Sequence, residues 1–483
     1  MSTTHSAFQT HAESFRANPE VKAAIKAIIE QLENTQDELT GERPPHAEGT
    51  ATVESLLAEY ANLKGRGAAL PYIGSGLGRG PLVELEDGSV KWDMICGIGV
   101  HLFGHSDPDL VATALEASLG DTPMQGNLQF NRDVIDFSRL LIDEASRDSK
   151  LQHCFLINSG AMANESALKV CFQKNAPASR VILFDDAFCG RSTTMAQFGD
   201  SAGGRVGIPL TVMTDYIPFY DPDRPEESTR DAVEALEKVI RRYPGQHAAF
   251  KFEIIQGEGG FRVAPREFFG ELFTRCKEAG IAIWADEVQT FGRTDRMFCF
   301  QTYDLGEYMD VVTIGKMSQV CAALYTEEYN PAPGLLSATF IGSTAALRVG
   351  RRILERLRDG GYYGEQGRIV ELHGAFRRQA NALVERHPEW FPPVPHSRGG
   401  HRDAMGMVGG RGGMMRLTPF AGEKVKVVRA VKAMFEEGVI AFFCGHGPYH
   451  LRFLAPVGVM EPAQFEPIFA CVERGLARAA SES

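Results

Sequence analysis

The chain has 483 residues, 44% of them apolar and 23% charged, with 50 glycines, 25 prolines and no low-complexity tract, so two or three packed structural units are expected and disorder is excluded. Asp and Glu outnumber Lys and Arg by 62 to 50, a net charge of −12 that disfavours binding to a phosphate backbone and makes nucleic acid an unexpected partner. The nine cysteines are scattered without a C-x-x-C pair, several in apolar runs, which points to buried free thiols in a reducing compartment and to neither disulfides nor a structural metal.

The N-terminus, Met1 to Ala7, has no apolar stretch of signal-peptide length, and no run of about 18 apolar residues follows, so a cytoplasmic protein with no membrane span is expected. Residues 1–64 show helical spacing at Val21, Ala24, Ile25, Ile28, Ile29 and Leu32 and again at Val53, Leu56, Leu57 and Tyr60, which reads as an N-terminal helical extension. Gly74-Ser75-Gly76-Leu77-Gly78-Arg79-Gly80 departs from G-x-G-x-x-G and precedes Pro81 and a strand-like Leu82 to Leu85, so it is no dinucleotide fingerprint. Glu86 to Ser89 predicts a turn, and Trp92 to Gly99 a strand entering a glycine-rich bend. Residues 65–134 are taken as the N-terminal part of a small domain.

From 135 to 345 apolar strand runs alternate with helical patterns, the mark of a mainly parallel sheet covered by helices, here the large domain. Its strands include Cys154 to Ile157, Val181 to Phe184, Ala248 to Ile255, Ala282 to Asp286 and Asp310 to Ile314. After Thr344 a helix through Leu347, Ile353 and Leu357 leads away. Residues 346–483 then mix helices with short strands at 406–417 and 449–454 and a proline-rich loop at Pro392 to Pro395, forming the C-terminal part of a smaller α+β domain.

Asp286 and Lys316 each end an apolar run, so both are delivered to the edge where open α/β sheets bind ligands. A carboxylate and a lysine placed together there suit pyridoxal phosphate, with Lys316 forming the Schiff base and Asp286 holding the pyridinium proton. Ser159-Gly160-Ala161 stands between a strand and a helix start, where free N–H groups favour a phosphate, although Ser159 is equally plausible as a plain N-cap. Gln289 can donate to a ring phenolate. Phe188 can stack on a planar ring and Arg191 can hold a substrate carboxylate, with core packing and a surface cation as the plainer alternatives. Arg452 is a charge inside an apolar strand, costly unless paired, and Glu258 is a candidate partner.

Asn158-Ser159-Gly160-Ala161-Met162-Ala163-Asn164-Glu165, Phe188-Cys189-Gly190-Arg191, Ile255-Gln256-Gly257-Glu258-Gly259-Gly260, Ala285-Asp286-Glu287-Val288-Gln289-Thr290, Thr313-Ile314-Gly315-Lys316 and Ser337-Ala338-Thr339-Phe340 occur in that order. Together they resemble the class III aminotransferases of the fold-type I pyridoxal-phosphate superfamily, over roughly residues 65 to 475. The resemblance implies Lys316 as the Schiff-base lysine, Asp286 at the pyridine nitrogen, Val288 and Phe188 on the two ring faces and Gln289 near the ring hydroxyl. It also implies phosphate binding by the backbone of Gly160 and Ala161, and Thr339 reaching the phosphate of a neighbouring subunit, so that a homodimer shares its active sites. Members acting on ornithine, acetylornithine or lysine use an arginine matching Arg452 for the 2-oxoglutarate α-carboxylate, a glutamate matching Glu258 that masks it during the amine half-reaction and an arginine matching Arg191 for the distal carboxylate, and Met317 to Cys321 is more similar to lysine 6-aminotransferases. The implied activity is ping-pong transfer of an amino group, the ω-amine of a lysine- or ornithine-like donor, to 2-oxoglutarate as the 2-oxo acid acceptor. An aminomutase, racemase or decarboxylase of the same class, or a non-catalytic binding protein on this fold, is the alternative. Cys189, Met162 and a glycine missing between Thr290 and Phe291 depart from the family pattern beside the pocket.

Overall fold

Three short strands come first: β1 (Gly74–Arg79), β2 (Leu82–Leu85) and β3 (Val90–Asp93), with the turn at 86–89 between the last two. The seven-stranded sheet follows, from β4 (Leu151–Ile157), β5 (Arg180–Phe184), β6 (Met213–Ile217), β7 (His247–Phe252), β8 (Ala282–Glu287), β9 (Val311–Ile314) and β10 (Cys321–Thr326). The remaining strands are β11 (Val394–Pro395), β12 (His401–Arg402), β13 (Val408–Arg411), β14 (Met414–Leu417), β15 (Val439–Ile440), β16 (Phe442–Cys444) and β17 (His450–Phe453). This computed structural model describes residues 8–121, 126, 128–395, 401–402 and 406–481; the sequence reading of Met1 to Ala7 lies outside them.

The large sheet runs β4-β10-β9-β8-β7-β5-β6. Strands β6, β5, β7, β8 and β9 are mutually parallel, whereas β10 is antiparallel to both β9 and β4. Two reversals bring β4 back parallel to β9, so the chain leaves β4, β5, β7, β8 and β9 on one edge. Every residue of β7 to β10 is buried, which is why these strands read as unbroken apolar runs and not as alternating ones.

Alternation divides the buried side chains between two faces. Phe250, Phe252, Ile283, Ala285, Val312 and Ile314 face the aromatic side, where Phe268, Phe269 and Phe273 of the helix Arg266–Glu278 pack; Phe252 and Phe273 lie 4.7 Å apart. Burial of each such ring contributes about 1.5–3 kcal/mol. Ala249, Ala282, Trp284 and Val311 face Ala167, Leu168 and Cys171 of the helix Gly160–Lys174. Lys251, Asp286 and Thr313 stand at that second face, among the polar residues of an otherwise apolar layer.

A four-stranded sheet, β1-β2-β3-β15, joins the N- and C-terminal parts of the chain, with β15 parallel to β3. A second, β13-β14-β17-β16, is antiparallel and carries Arg452 on β17. The helices Pro19–Gln36 and Ala47–Lys64 occupy the positions predicted by their spacing. Between them Arg43 bridges to Val90 of β3, so this segment is pinned to the small sheet.

The glycine-rich 74–79, to which no element was assigned, is a strand, since small residues at an exposed edge still pair through backbone groups. Two expectations are corrected. The expected strand from Trp92 stops at Asp93, whose Oδ1 accepts from the N–H groups of Ile95 and Cys96 and turns the chain into a helical bend at Cys96–Gly99. The proline-rich loop contains a two-residue ladder, β11 with β12. All nine cysteines are free thiols, eight of them buried and Cys154 half-buried. Among the described residues no helix is long and apolar enough to cross a membrane.

Candidate active site

Asp286 is the fifth residue of β8 and is buried. Its Oδ2 accepts from Asn164 Nδ2 at 2.8 Å and from Lys251 Nζ at 2.7 Å, and its Oδ1 accepts from the Val288 N–H at 3.0 Å. A carboxylate has about four lone-pair positions, so one is left. Asn164 is held in turn: Thr313 Oγ1 donates to its Oδ1 at 2.7 Å, and its Nδ2 also donates to the Cys189 carbonyl. Trp284 Nε1 donates to Thr313 Oγ1 at 3.3 Å. Adjacent strands and one helix thereby fix the carboxylate.

Lys316 follows β9 by two residues, at φ +57°, a left-handed conformation that costs a non-glycine residue energy and is held by the surrounding turn. Gly315 before it lies so close to its neighbours that a Cβ there would stand 2.8 Å from Cys321 Sγ. The Lys316 ammonium makes no hydrogen bond or ion pair among the described residues; its carbonyl accepts from the Gln319 N–H. Burial lowers its ammonium below the ordinary lysine value; Glu258 opposes this, and Arg293 and Arg452 reinforce it. A half-buried, less basic amine is the form in which lysine acts as a nucleophile or base.

Ser159 caps the helix Gly160–Lys174, its Oγ accepting from the Met162 N–H at 3.3 Å. The N–H groups of Gly160 and Ala161 in the first turn have no partner among the described residues, as an anion site requires. Val288 presses on this turn: a Cβ on Gly160 would meet its Cγ1 at 2.7 Å. On the other side Phe188 follows β5, its N–H donating to Glu253 Oε1 at 3.1 Å. Gln289 is buried and its Oε1 has no hydrogen-bond partner, an orphaned polar atom beside the Asp286 carboxylate that asks for a ligand group. Free N–H groups, an orphaned amide, a remaining lone pair on Asp286 and an unpartnered lysine together fit a planar, phosphorylated aldehyde.

Arg452 and Glu258 form an ion pair through Nη1 and Oε1, linking β17 to the loop after β7. The arginine side chain is 1% exposed and the glutamate 27%, so the cation is enclosed and its partner opens toward solvent. Arg191 is exposed and lies over the Phe188 ring at 5.4 Å. Thr339 is exposed after β10, and no hydrogen bond among the described residues joins it to the rest of the site.

Four members of the cluster escaped the sequence reading as functional residues: Asn164, Lys251, Glu253 and Thr313. The signal for Lys251 was present, a lysine in the middle of the apolar run Ala248 to Ile255. Burial first, and Asp286 second, push the Glu253 carboxyl up to about 7, while Lys251 and the N–H groups of Gly257 and Phe188 oppose the rise.

The family model described as aminotransferase class-III matches residues 71–470. An acetylornithine aminotransferase of Myxococcus xanthus is 32% identical over 312 residues, covering 62% of this chain and 72% of that protein. One from Oceanobacillus iheyensis is 30% identical over 298 residues, covering 59% and 69%. Among solved structures, a lysine aminotransferase from M. tuberculosis superposes with a TM-score of 0.74 at 21% identity, covering 88% of this chain and 99% of that one. An ornithine aminotransferase from Toxoplasma gondii ME49 gives 0.75 at 20% identity, covering 99% and 100%. At these identities the superpositions establish the fold.

Proposed function

The chain belongs to the class III aminotransferases, enzymes that use pyridoxal 5′-phosphate, and we propose that it transfers the ω-amino group of a lysine- or ornithine-like donor to 2-oxoglutarate in two alternating half-reactions. The observation that carries this reading is the Glu258–Arg452 pair: a buried arginine needs a carboxylate, and its present partner opens toward solvent, where one from an acceptor can replace it. While Glu258 stays in place, a donor's α-carboxylate is refused and its distal amine is the end that reaches Lys316. Relatives named acetylornithine aminotransferase support an ω-type donor.

When bound, the cofactor supplies an electron sink for the carbon that carries the amine. The protein does the rest. Ser159 and the N–H groups of Gly160 and Ala161 would hold the phosphate, Val288 and Phe188 would cover the two ring faces, and Gln289 would accept from the ring hydroxyl at its orphaned Oε1. Asp286 holds the proton on the ring nitrogen. Lys316 is the residue that would hold the cofactor covalently, and its less basic amine would carry a proton away from and back to the substrate carbon as general base and acid. Arg191, set over Phe188, receives the distal carboxylate of the acceptor. Thr339 serves the phosphate of a second subunit, which makes the working unit a homodimer. The free buried thiols support a cytoplasmic setting.

Glutamate release from 2-oxoglutarate, assayed across lysine, ornithine, acetylornithine, 4-aminobutyrate, diamines and β-amino acids, tests the reading. Glutamate formed from lysine- or ornithine-type donors is the expected result; isomerised or decarboxylated product without glutamate would replace it with another reaction of the same class.

A further inference from the structure

Lys251 is a second lysine beside Asp286. It sits on β7 between Phe250 and Phe252, in register with Trp284, whose ring lies 5.4 Å from its ammonium, and its side chain is 1% exposed. A lysine so placed is very costly unless a charge compensates it, and Asp286 Oδ2 at 2.7 Å does. Burial opposes the Lys251 charge, yet the Asp286 carboxylate bonded to it outweighs burial and leaves the ammonium more firmly protonated than in water.

The titratable groups facing Asp286 are few. Strand β7 gives Lys251 and Glu253, the loop after β5 gives Cys189, β10 gives Cys321, the turn after β9 gives Lys316, and Glu287 is next in β8. Burial pushes the Cys189 and Cys321 thiols up to about 12 and about 11, so both stay neutral, and Glu287 is raised to about 8. Lys251 is therefore the one fixed cation bonded to the carboxylate among the described residues. It binds the oxygen that Asn164 also binds, and leaves the vacant lone pair on Oδ1, which the Val288 N–H shares. Lys251 and a ring nitrogen can thus hold Asp286 simultaneously, from opposite sides.

We propose that Lys251 is a positioning residue: its ammonium holds and aims the Asp286 side chain before the cofactor arrives and, by sharing the carboxylate's charge, lowers the pH at which the bound cofactor's ring nitrogen gives up its proton. The inference rests on the reading of Asp286 as the ring-nitrogen partner. Two cations on one carboxylate repel each other, and the one that can release a proton does so more readily. The chain then carries a softened electron sink, suited to returning the proton to the substrate carbon rather than to prolonged carbanion chemistry.

The test is a pH titration of the ¹⁵N chemical shift of ring-labelled pyridoxal phosphate bound to the intact protein, a readout independent of turnover. Lys251→Met is expected to raise the ring-nitrogen midpoint by roughly 1–3 pH units, Lys251→Arg to return it toward wild type, and Asp286→Ala to lower it. An unchanged midpoint in Lys251→Met, with Asp286→Ala still lowering it, overturns the role of Lys251 and leaves that of Asp286 standing. An unchanged midpoint in Asp286→Ala overturns both. Should Lys251→Met fail to fold, Lys251→Gln, which is neutral but keeps a hydrogen-bond donor, enters the same titration with the same expectation.

Discussion

Asp286 receives three donors from three separate elements, and each would be left with an unmet need if the carboxylate were removed. Lys251 suffers most, because its charge is buried and its only bonded anion among the described residues is Asp286. Asp286→Ala is therefore expected to destabilise the cofactor-free protein by about 3–5 kcal/mol, and Asp286→Ala combined with Lys251→Met to recover a large part of that loss. Urea unfolding of the two variants measures both; equal losses would mean that the ion pair contributes nothing. At this scale the sequence was legible where chemistry is rare for its context. Asp286 and Lys316 end apolar strands, and Arg452 interrupts one. Lys251 interrupts one as well, but a lone lysine names no partner until pairing of β7 with β8 brings it beneath Asp286. Asn164 and Thr313 are of types found anywhere, and only their mutual geometry gives them a role.

The edge of the large sheet gathers the site because β4, β5, β7, β8 and β9 all release their chains there. That arrangement follows from βαβ alternation, so the sheet and the side on which the ligand binds could be anticipated from apolar runs alone. The antiparallel insertion of β10 could not, since a buried strand reads as the same apolar run in either direction. The bend after Asp93 was hidden for a different reason: it depends on one side chain capping two N–H groups. Close packing at the start of the helix Gly160–Lys174 gives a test at this level. A Cβ on Gly160 would come within 2.7 Å of Val288 Cγ1, and crowding of this kind costs about 1–3 kcal/mol. Gly160→Ala is expected to weaken cofactor binding by roughly ten- to hundred-fold with little change in far-ultraviolet circular dichroism, as measured by equilibrium dialysis. Undiminished affinity would place the phosphate elsewhere.

Across the whole molecule, N- and C-terminal segments share the sheet β1-β2-β3-β15; we propose a small domain of residues 65–134 and 346–483 beside a large one of 135–345. The proposed completion of the site by Thr339 of a second copy comes through the family resemblance alone, because nothing local to Ser337 to Phe340 dictates it. Stability also carries a signature of the buried site. Glu253 titrates near about 7 in the folded chain and near about 4.3 when unfolded, so between those values the folded state holds a proton that the unfolded state has released. Its contribution is fully present below about pH 4.3 and is lost as pH rises toward 7. Glu253→Gln in the cofactor-free protein should therefore become more stable relative to wild type as pH increases from 5 to 8, by thermal unfolding at each pH; a constant difference would show Glu253 ionised throughout.

Amino transfer itself is tested most directly with lysine or ornithine labelled with ¹⁵N at the distal amine, incubated with 2-oxoglutarate and followed by mass spectrometry of the glutamate formed. The proposed function predicts ¹⁵N in that glutamate with the wild-type protein and none with Lys316→Ala. Label appearing only from α-¹⁵N donors, or glutamate labelled equally by the Lys316→Ala protein, would contradict it.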